Sequence, residues 1–244
     1  MLSIQQLYGG YSRQFPVIKN IDFSVSPGEI VGLIGLNGAG KSTTLKNILG
    51  LITPFSGTVS IDGKTLTEDP ETFRNQLAYI PETPLFYEEL TLWEHLELTA
   101  SAYRMPPDLL QERAQSLLTR FRMQKVKNWF PDTFSKGMQQ KIMILCAFLV
   151  KPRFLIIDEP FVGLDLLATQ SLLELLQSGK KEGMGILMST HILGMAEKYC
   201  DRFVLIHEGQ MRLKGTLAEM NQQAGTQNKS LDELFMIAIE GKQS

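Results

Sequence analysis

Apolar and polar positions change their spacing several times along the chain, and each spacing predicts one type of element. Short apolar or alternating runs, which are typical of strands, occupy residues 2–7, 21–25, 30–34, 57–61, 77–80, 153–158, 185–189, 202–207 and 210–214. Apolar residues with helical spacing occupy residues 41–49, 92–102, 109–121, 138–150, 166–176, 192–199 and 231–239. Strands that alternate with helices predict an α/β fold with a largely parallel sheet covered by helices.

The spacing changes most clearly after the strand at 77–80, because the elements predicted next are all helices. We therefore predict a single domain with an inserted helical subdomain. The α/β core with its β subdomain is expected at residues 1–81 and 151–220. The helical subdomain is expected at residues 82–150, and the C-terminal tail helix at residues 221–244. Within that tail, residues 221–229 are polar, which predicts a loop before the last helix.

Composition narrows the class of protein. The 244 residues are 43% hydrophobic with a formal net charge of −2, so a sizeable core can be buried and no basic bias points to nucleic acid. The longest apolar run, residues 142–150, is well short of the roughly 20 residues of a membrane span, and no signal-peptide pattern opens the chain. Cys146 and Cys200 have no metal-binding or disulfide spacing, which is typical of buried thiols in a cytosolic protein.

The stretch from Gly35 to Ser42 reads Gly-Leu-Asn-Gly-Ala-Gly-Lys-Ser, a P-loop pattern between a predicted strand and a predicted helix. Glycines leave backbone N–H groups free to converge on phosphate oxygens, and the positive end of the next helix points at the same place. Lys41 would supply charge to the β- and γ-phosphates, and the Ser42 hydroxyl would ligate Mg²⁺. The residues predicted to bind nucleotide here are Gly35, Leu36, Asn37, Gly38, Ala39, Gly40, Lys41, Ser42 and Thr43.

Further candidate residues lie where two other predicted strands end. One apolar strand stops at Asp158 and Glu159, and P-loop enzymes keep a magnesium-orienting acid at such a position. Asp158 is therefore a candidate metal ligand, and Glu159, which points differently because side chains alternate, could take a proton from an attacking water. His191 follows the strand at 185–189. Ligands bind at the carboxyl ends of parallel strands, so His191 is a second catalytic candidate.

Taken in order, these motifs resemble the ATP-binding subunits of ABC transporters over nearly the whole chain. The Walker A and Walker B motifs match at residues 35–42 and 156–159, and Phe-Ser-Lys-Gly-Met at 134–138 stands where the family has Leu-Ser-Gly-Gly-Gln. Within the family, residues 79–84, 134–138 and 188–193 are similar to the ATPase subunit of Ecs-type exporters.

The resemblance implies a P-loop NTPase fold with a RecA-like parallel-sheet core, an N-terminal antiparallel β subdomain and an inserted helical subdomain. It also implies that two copies bind ATP between them, packed head to tail. In that arrangement Tyr11 stacks on adenine and His191 contacts the γ-phosphate. Ser135 and Gly137 complete the site from the opposite copy, and Asp165 belongs to the D-loop.

Three positions depart from the family pattern. Glu82 stands where the family usually has a Gln that ligates magnesium and faces the membrane partner, so a ligand here would carry an added negative charge. Lys136 replaces a Gly and Met138 replaces a Gln in the signature. Because Ser135 and Gly137 remain, a helix N-terminus can still present a hydroxyl and N–H groups to a phosphate.

The resemblance implies an ATPase that energises transport, in the direction of export, by a separate integral membrane permease. Such a subunit is expected on the cytoplasmic face of the membrane, where residues 85–90 would dock the permease. One alternative is a soluble, non-transport ABC-type ATPase acting on nucleic acid or ribosomes, although the chain lacks the second cassette, zinc motifs and coiled-coil inserts of those proteins. Another is a P-loop kinase or GTPase, but residues 228–232 miss the spacing of a guanine-reading motif by one.

Overall fold

Strands throughout the chain join one sheet. The computed structural model describes residues 1–240, so residues 241–244 of the predicted tail lie outside the described residues. In chain order the strands are β1 (Leu2–Gly9), β2 (Ile18–Val25), β3 (Ile30–Ile34), β4 (Ser56–Ile61), β5 (Lys64–Thr65), β6 (Leu77–Ile80), β7 (Phe154–Asp158), β8 (Gly185–Thr190), β9 (Arg202–His207) and β10 (Gln210–Gly215). Their order in the sheet is β5-β4-β1-β2-β10-β9-β3-β8-β7-β6.

The sheet has a parallel half and a mainly antiparallel half. Strands β9, β3, β8, β7 and β6 run parallel, whereas β5, β4, β1 and β2 pair antiparallel with one another. Strand β10 joins the two halves, parallel to β2 and antiparallel to β9. This confirms the predicted α/β P-loop fold with a parallel core and an N-terminal antiparallel part. The carboxyl ends of β3, β8 and β7 lie side by side, since Ile34 pairs with Thr190 and Asp158 pairs with Ser189. Three loops distant in sequence therefore converge at one edge of the sheet.

Helices cover both faces of this sheet. They are α1 (Lys41–Ile48), α2 (Pro70–Asn75), α3 (Leu92–Ala102), α4 (Pro107–Arg120), α5 (Lys136–Leu149), α6 (Leu166–Lys181), α7 (Leu193–Tyr199), α8 (Leu217–Ala224) and α9 (Leu231–Glu240). Successive strand side chains point to opposite faces, and β3 follows this rule. Val31 and Leu33 pack in the cluster with α1, whereas Ile30 packs with α3 to α6 and Ile34 with α7 to α9.

The prediction of a loop over residues 221–229 is partly wrong, because α8 extends to Ala224. Thr216 and Glu219 form a capping box at the start of α8, and Gly225 ends it in the left-handed conformation. Such caps satisfy the free N–H and C=O groups of a helix end. Polarity alone favoured a loop here, but the capping residues determine the structure.

Three smaller differences also have local causes. Helix α2 was not predicted; it starts at Pro70 after Asp69, whose side chain accepts a hydrogen bond from the Thr72 N–H. Helix α4 begins at Pro107 rather than at residue 109, since proline suits the first turn of a helix, where its missing N–H costs nothing. Strand β2 begins at Ile18, three residues earlier than predicted, because Ile18 pairs with Gly9 of β1.

Candidate functional site

The glycine loop between β3 and α1 is shaped by close backbone contacts. Gly40, the N-cap of α1, has φ 108°, a conformation that residues with a Cβ rarely adopt. A Cβ at Gly40 would also lie 2.9 Å from a methyl carbon of Ile18. The backbone therefore turns directly into the N-terminus of α1, where free N–H groups and the helix dipole favour an anion.

Lys41, the first residue of α1, folds back over this loop. Its Nζ donates hydrogen bonds to the carbonyl oxygens of Gly35 at 2.9 Å and Leu36 at 3.3 Å. The same Nζ lies 3.4 Å from Oε1 of Glu159. Both residues are only 6% exposed, so their charges attract each other with little screening by water. The ammonium group thus joins the glycine loop to the end of β7.

Ser189 connects the carboxylate of Asp158 to the backbone of Glu159 at the end of β7. Its hydroxyl donates to Oδ1 of Asp158 and accepts a hydrogen bond from the Glu159 N–H at 3.1 Å. Both carboxylates are buried, and Glu159 has φ 46°, which turns its side chain away from that of Asp158. Sequence reasoning missed Ser189, since a serine at the end of a strand has no distinctive pattern.

His191 lies against Glu159 at the end of β8. Its Nδ1 is 3.0 Å from Oε2 of Glu159, and its backbone N–H donates to the same oxygen at 3.3 Å. The other oxygen, Oε1, is buried and lies 3.4 Å from the Lys41 Nζ, but it makes no hydrogen bond with the described residues. One carboxylate oxygen of Glu159 is therefore held in place, while the second can accept a proton.

Lys41, Glu159 and His191 line one cleft of about 300 Å³, whereas Asp158 and Ser189 are not among its lining residues. Its lining residues are Val17, Leu36, Asn37, Gly38, Gly40, Lys41, Ser42, Thr43, Glu82, Glu159 and His191. Burial, together with the nearby carboxylates of Asp158 and Glu82, raises the pKa of Tyr79. The Tyr79 phenol is therefore neutral at physiological pH.

Tyr11 lies outside the lining of this cleft. Its side chain is 70% exposed, and the Lys46 Nζ donates to its hydroxyl at 3.4 Å and lies 5.9 Å from its ring centroid. Val17, which sequence reasoning did not single out, lines the cleft instead. Lys46 contacts the exposed Tyr11 ring from one side. The other face of the ring can therefore still stack on a base.

The signature residues also lie outside the lining of the cleft. Ser135 is the N-cap of α5, and its hydroxyl oxygen accepts a hydrogen bond from the Met138 N–H at 3.3 Å. A Cβ on Gly137 would lie 2.5 Å from the carbonyl oxygen of Gly163. Only glycine therefore allows the start of α5 to approach the D-loop this closely.

Asp165 of the D-loop joins α5 to α6. Its carboxylate caps α6 by accepting the Ala168 N–H at 2.8 Å and lies 3.1 Å from the Lys141 Nζ on α5. The Ala168 N–H, with help from Lys141, holds the pKa of Asp165 below its usual value. Asp165 is therefore charged at neutral pH and keeps the signature helix and the D-loop together.

His95 and the two cysteines lie outside the cleft and have structural contacts. His95 is buried in α3, where its Nδ1 lies 2.8 Å from the Thr91 carbonyl oxygen and its Nε2 accepts the Tyr87 N–H at 3.0 Å. Its ring therefore bridges α3 and the preceding loop. Burial raises the pKa of Cys146 to about 11 and that of Cys200 to about 12, so neither thiol is reactive at neutral pH.

A glycine loop at a helix N-terminus, beside a buried strand that ends in two acids, defines a P-loop nucleoside triphosphatase. The family model described as ABC transporter matches residues 18–162. EcsA of Bacillus subtilis (strain 168), an ABC-type transporter ATP-binding protein, is 55% identical over 97% of this chain and 95% of its own length. The chain therefore belongs to the ABC transporter family, as one of its ATP-binding subunits with ATPase activity.

Solved structures agree with this assignment. A structure described as the ATP-binding subunit of an ABC transporter has a TM-score of 0.94 and 52% identity, covering 98% of this chain and 99% of its own. The ATP-binding cassette MJ0796, solved as a dimer with ADP and phosphate, has a TM-score of 0.80 over 89% of this chain and 99% of its own. At 24% identity, this second likeness concerns the fold alone. In residues 1–240, no helix has the length and apolar character needed to cross a membrane.

Proposed function

We propose that this chain uses ATP hydrolysis to drive export through a separate integral membrane permease, and that it works as a head-to-tail pair of copies. The observation that carries this proposal is the division of the site. The cleft contains Lys41, Glu159 and His191, whereas Ser135 and Gly137 lie outside its lining. ATP in this cleft would reach a signature only if a second copy supplied one.

The cleft residues fit a magnesium nucleotide. The Ser42 hydroxyl and the carboxylates of Asp158 and Glu82 are hard oxygen ligands of the kind that Mg²⁺ prefers. Among residues 1–240, no three His, Cys, Asp or Glu side chains converge on one point as a metal centre. This is consistent with a metal ion held largely by phosphates and water, as is usual for Mg²⁺. When bound, Mg²⁺ would neutralise part of the phosphate charge.

We propose a role for each residue in the cleft and for Tyr11 beside it. Lys41 exchanges the carbonyl oxygens of its own loop for the β- and γ-phosphates, which offer it stronger, charge-assisted hydrogen bonds. Glu159 accepts the proton of the attacking water through Oε1, its oxygen without a hydrogen-bond partner among the described residues. His191 holds the other oxygen of Glu159 and contacts the γ-phosphate. Tyr11 stacks on adenine.

Exposed apolar side chains support pairing of two copies. Leu36 and Ile192 are exposed beside the cleft, and Val162, Leu166 and Leu167 are exposed around the D-loop. Burying them in a pair would stabilise the closed state. In that state, Ser135 and Gly137 of one copy would complete the ATP site of the other. Hydrolysis and phosphate release would remove the charge shared across the interface, so the copies would separate.

A second exposed apolar surface supports docking to a permease. It consists of Leu85, Tyr87, Trp129 and Phe130. The Leu92 N–H donates to the Trp129 carbonyl oxygen at 3.0 Å, which holds part of this surface against the start of α3. We propose that it receives a cytosolic helix of the permease, through the helical subdomain at residues 82–150. In this proposal the chain lies on the cytoplasmic face of the membrane. Its net charge of −2 does not favour a nucleic-acid partner.

Cysteine crosslinking tests the head-to-tail pair. In a Glu159→Gln background that retains ATP, Asn37→Cys and Ser135→Cys are placed in separate chains, which are then mixed with and without ATP. We expect a crosslinked dimer only when both cysteines and ATP are present. Either substituted chain alone is the control, and the two native cysteines stay because burial raises the pKa of their thiols. If no crosslink forms with ATP, the head-to-tail pair is wrong.

Isolation from membranes tests the partner. The chain is recovered from its native cells in mild detergent, and the associated proteins are identified. We expect an integral membrane protein, whose recovery falls when Leu85 and Tyr87 are both changed to Ser. Recovery with ribosomes or nucleic acid instead would support the non-transport ATPase and overturn the transport proposal.

A further inference from the structure

Gln140 connects α5 to the segment that carries Glu82. The side chain is 2% exposed, and its Nε2 donates to the carbonyl oxygen of Pro81 at 3.1 Å. Pro81 follows the last residue of β6, Ile80, which pairs in register with Ile157 of β7. The hydrogen bond therefore holds the chain at the point where it leaves the sheet for the cleft, one residue before Glu82.

The other polar atom of this side chain has no hydrogen-bond partner in residues 1–240. Oε1 of Gln140 is buried and makes no hydrogen bond with the described residues. A buried acceptor without a partner costs stability, because it has lost its water and gained nothing in return. Gln140 is therefore better explained by the position in which it holds the segment at Pro81 than by a contribution to stability.

The neighbouring Gln139 provides a comparison within the same helix. Its Nε2 donates to the carbonyl oxygen of Pro131 at 3.0 Å, in the loop that leads into α5. Gln139 is half-buried, whereas Gln140 is buried. The two residues thus make the same type of bond, but only that of Gln140 reaches β6 and the cleft.

We propose that Gln140 is a positioning residue that makes the Glu82 segment and the start of α5 move together. Ser135, Gly137 and Gln140 lie within about one turn of the same rigid helix, so a shift at Pro81 is passed to the signature residues. Nucleotide that enters the cleft and displaces Glu82 would therefore also reorient Ser135. This inference rests on the proposed function in one respect, namely that Ser135 serves the ATP of a second copy.

The test compares Gln140→Met with Gln139→Met. Methionine is close to glutamine in size and removes the amide from each position. We expect Gln140→Met to leave the Kd for ATP within about twofold, since Gln140 does not line the cleft. It should lower kcat about 10- to 100-fold, the cost of a misplaced catalytic group. Gln139→Met should change neither value by more than about twofold.

Hydrogen exchange gives a readout that a purely structural role would not change. In the dilute, unpaired chain, ATP should slow amide exchange at residues 82–90 and at 134–140. In Gln140→Met, ATP should still slow exchange at 82–90 but no longer at 134–140. Thermal unfolding shows whether each variant is folded. Gln140→Glu, which places an acceptor against the Pro81 carbonyl oxygen, is the second variant and should behave like Gln140→Met.

Equal losses of kcat in the two methionine variants would overturn the proposal. It would also be overturned if ATP still slowed exchange at both 82–90 and 134–140 in Gln140→Met. Because the exchange experiment uses the unpaired chain, it remains informative even if the crosslink between Asn37→Cys and Ser135→Cys fails. If the crosslink fails, the proposed head-to-tail pair is wrong. The exchange result separately tests the role of Gln140.

Discussion

The two halves of the candidate site differ in how completely one chain builds them. In the cleft, Lys41, Asp158 and Glu159 are buried and connected to each other or to Ser189. On the signature side, Ser135 is exposed, and Asp165 is exposed with Lys141 as its cationic partner. We therefore expect one chain to bind nucleotide by itself, whereas the signature residues should act only when two copies pair. Changes in the cleft and changes at the signature should consequently have different kinetic effects.

The largest effect is expected from Glu159→Gln. The amide keeps the size of the side chain but cannot accept the proton of the attacking water, so phosphate release should slow about 100- to 10,000-fold. ATP binding should persist, because Lys41 and the glycine loop are unchanged. Measured rates of phosphate release and a binding isotherm check both parts, and normal turnover in this variant would remove Glu159 from its role as base.

Lys41→Ala should instead weaken binding itself. It removes the charge-assisted hydrogen bonds to the phosphates, which corresponds to an increase in the Kd for ATP of about 10- to 100-fold. Calorimetric titration measures this value. Because Glu159 would lose its buried cationic partner, thermal unfolding must accompany the titration. An unchanged Kd in a folded variant would contradict the assignment of Lys41.

Ser135→Ala tests the signature side. We expect turnover to fall about 5- to 10-fold through the loss of one hydrogen bond, while the Kd for ATP of the unpaired chain stays the same. The change also removes the N-cap of α5, at a cost of about 1 kcal/mol.

Thr216→Ala is the matched control, because Thr216 caps α8 in the same way but lies outside the cleft lining. It should lose similar stability without loss of turnover. A similar loss of turnover in both variants would mean that Ser135 acts only as a cap.

The smallest effect is expected on the pH dependence of stability when the charge of Asp165 is removed. The folded state lowers the pKa of this group, so its charge contributes stability above the ordinary aspartate pKa of about 4. That contribution is lost as the pH falls through the lowered pKa. Asp165→Asn keeps a good N-cap without the charge. Its melting temperature should therefore fall slightly less than that of the unmodified chain between pH 6 and pH 3. If the melting temperatures of Asp165→Asn and the unmodified chain fall equally with pH, the charge of Asp165 contributes nothing to stability.

Much of the fold and the cleft was predictable because the relevant signals are local. The glycine loop, the apolar strand before Asp158 and the N-cap at Ser135 each depend on neighbouring residues, and the structure has the predicted elements at these positions. Helix α8 was missed because its polar composition outweighed its capping residues. Ser189 and Gln140 had no local signal at all, since their contacts join residues 30 or more positions apart.

The sequence by itself determined which residues can do chemistry, because glycine spacing, strand ends and helix caps are set by short-range backbone preferences. Only the tertiary structure decided which of them meet. The strand order β3-β8-β7 brings Lys41, Glu159 and His191 together and leaves Ser135 outside the cleft lining. Strand order depends on packing between segments far apart in the chain, and no local pattern encodes that packing.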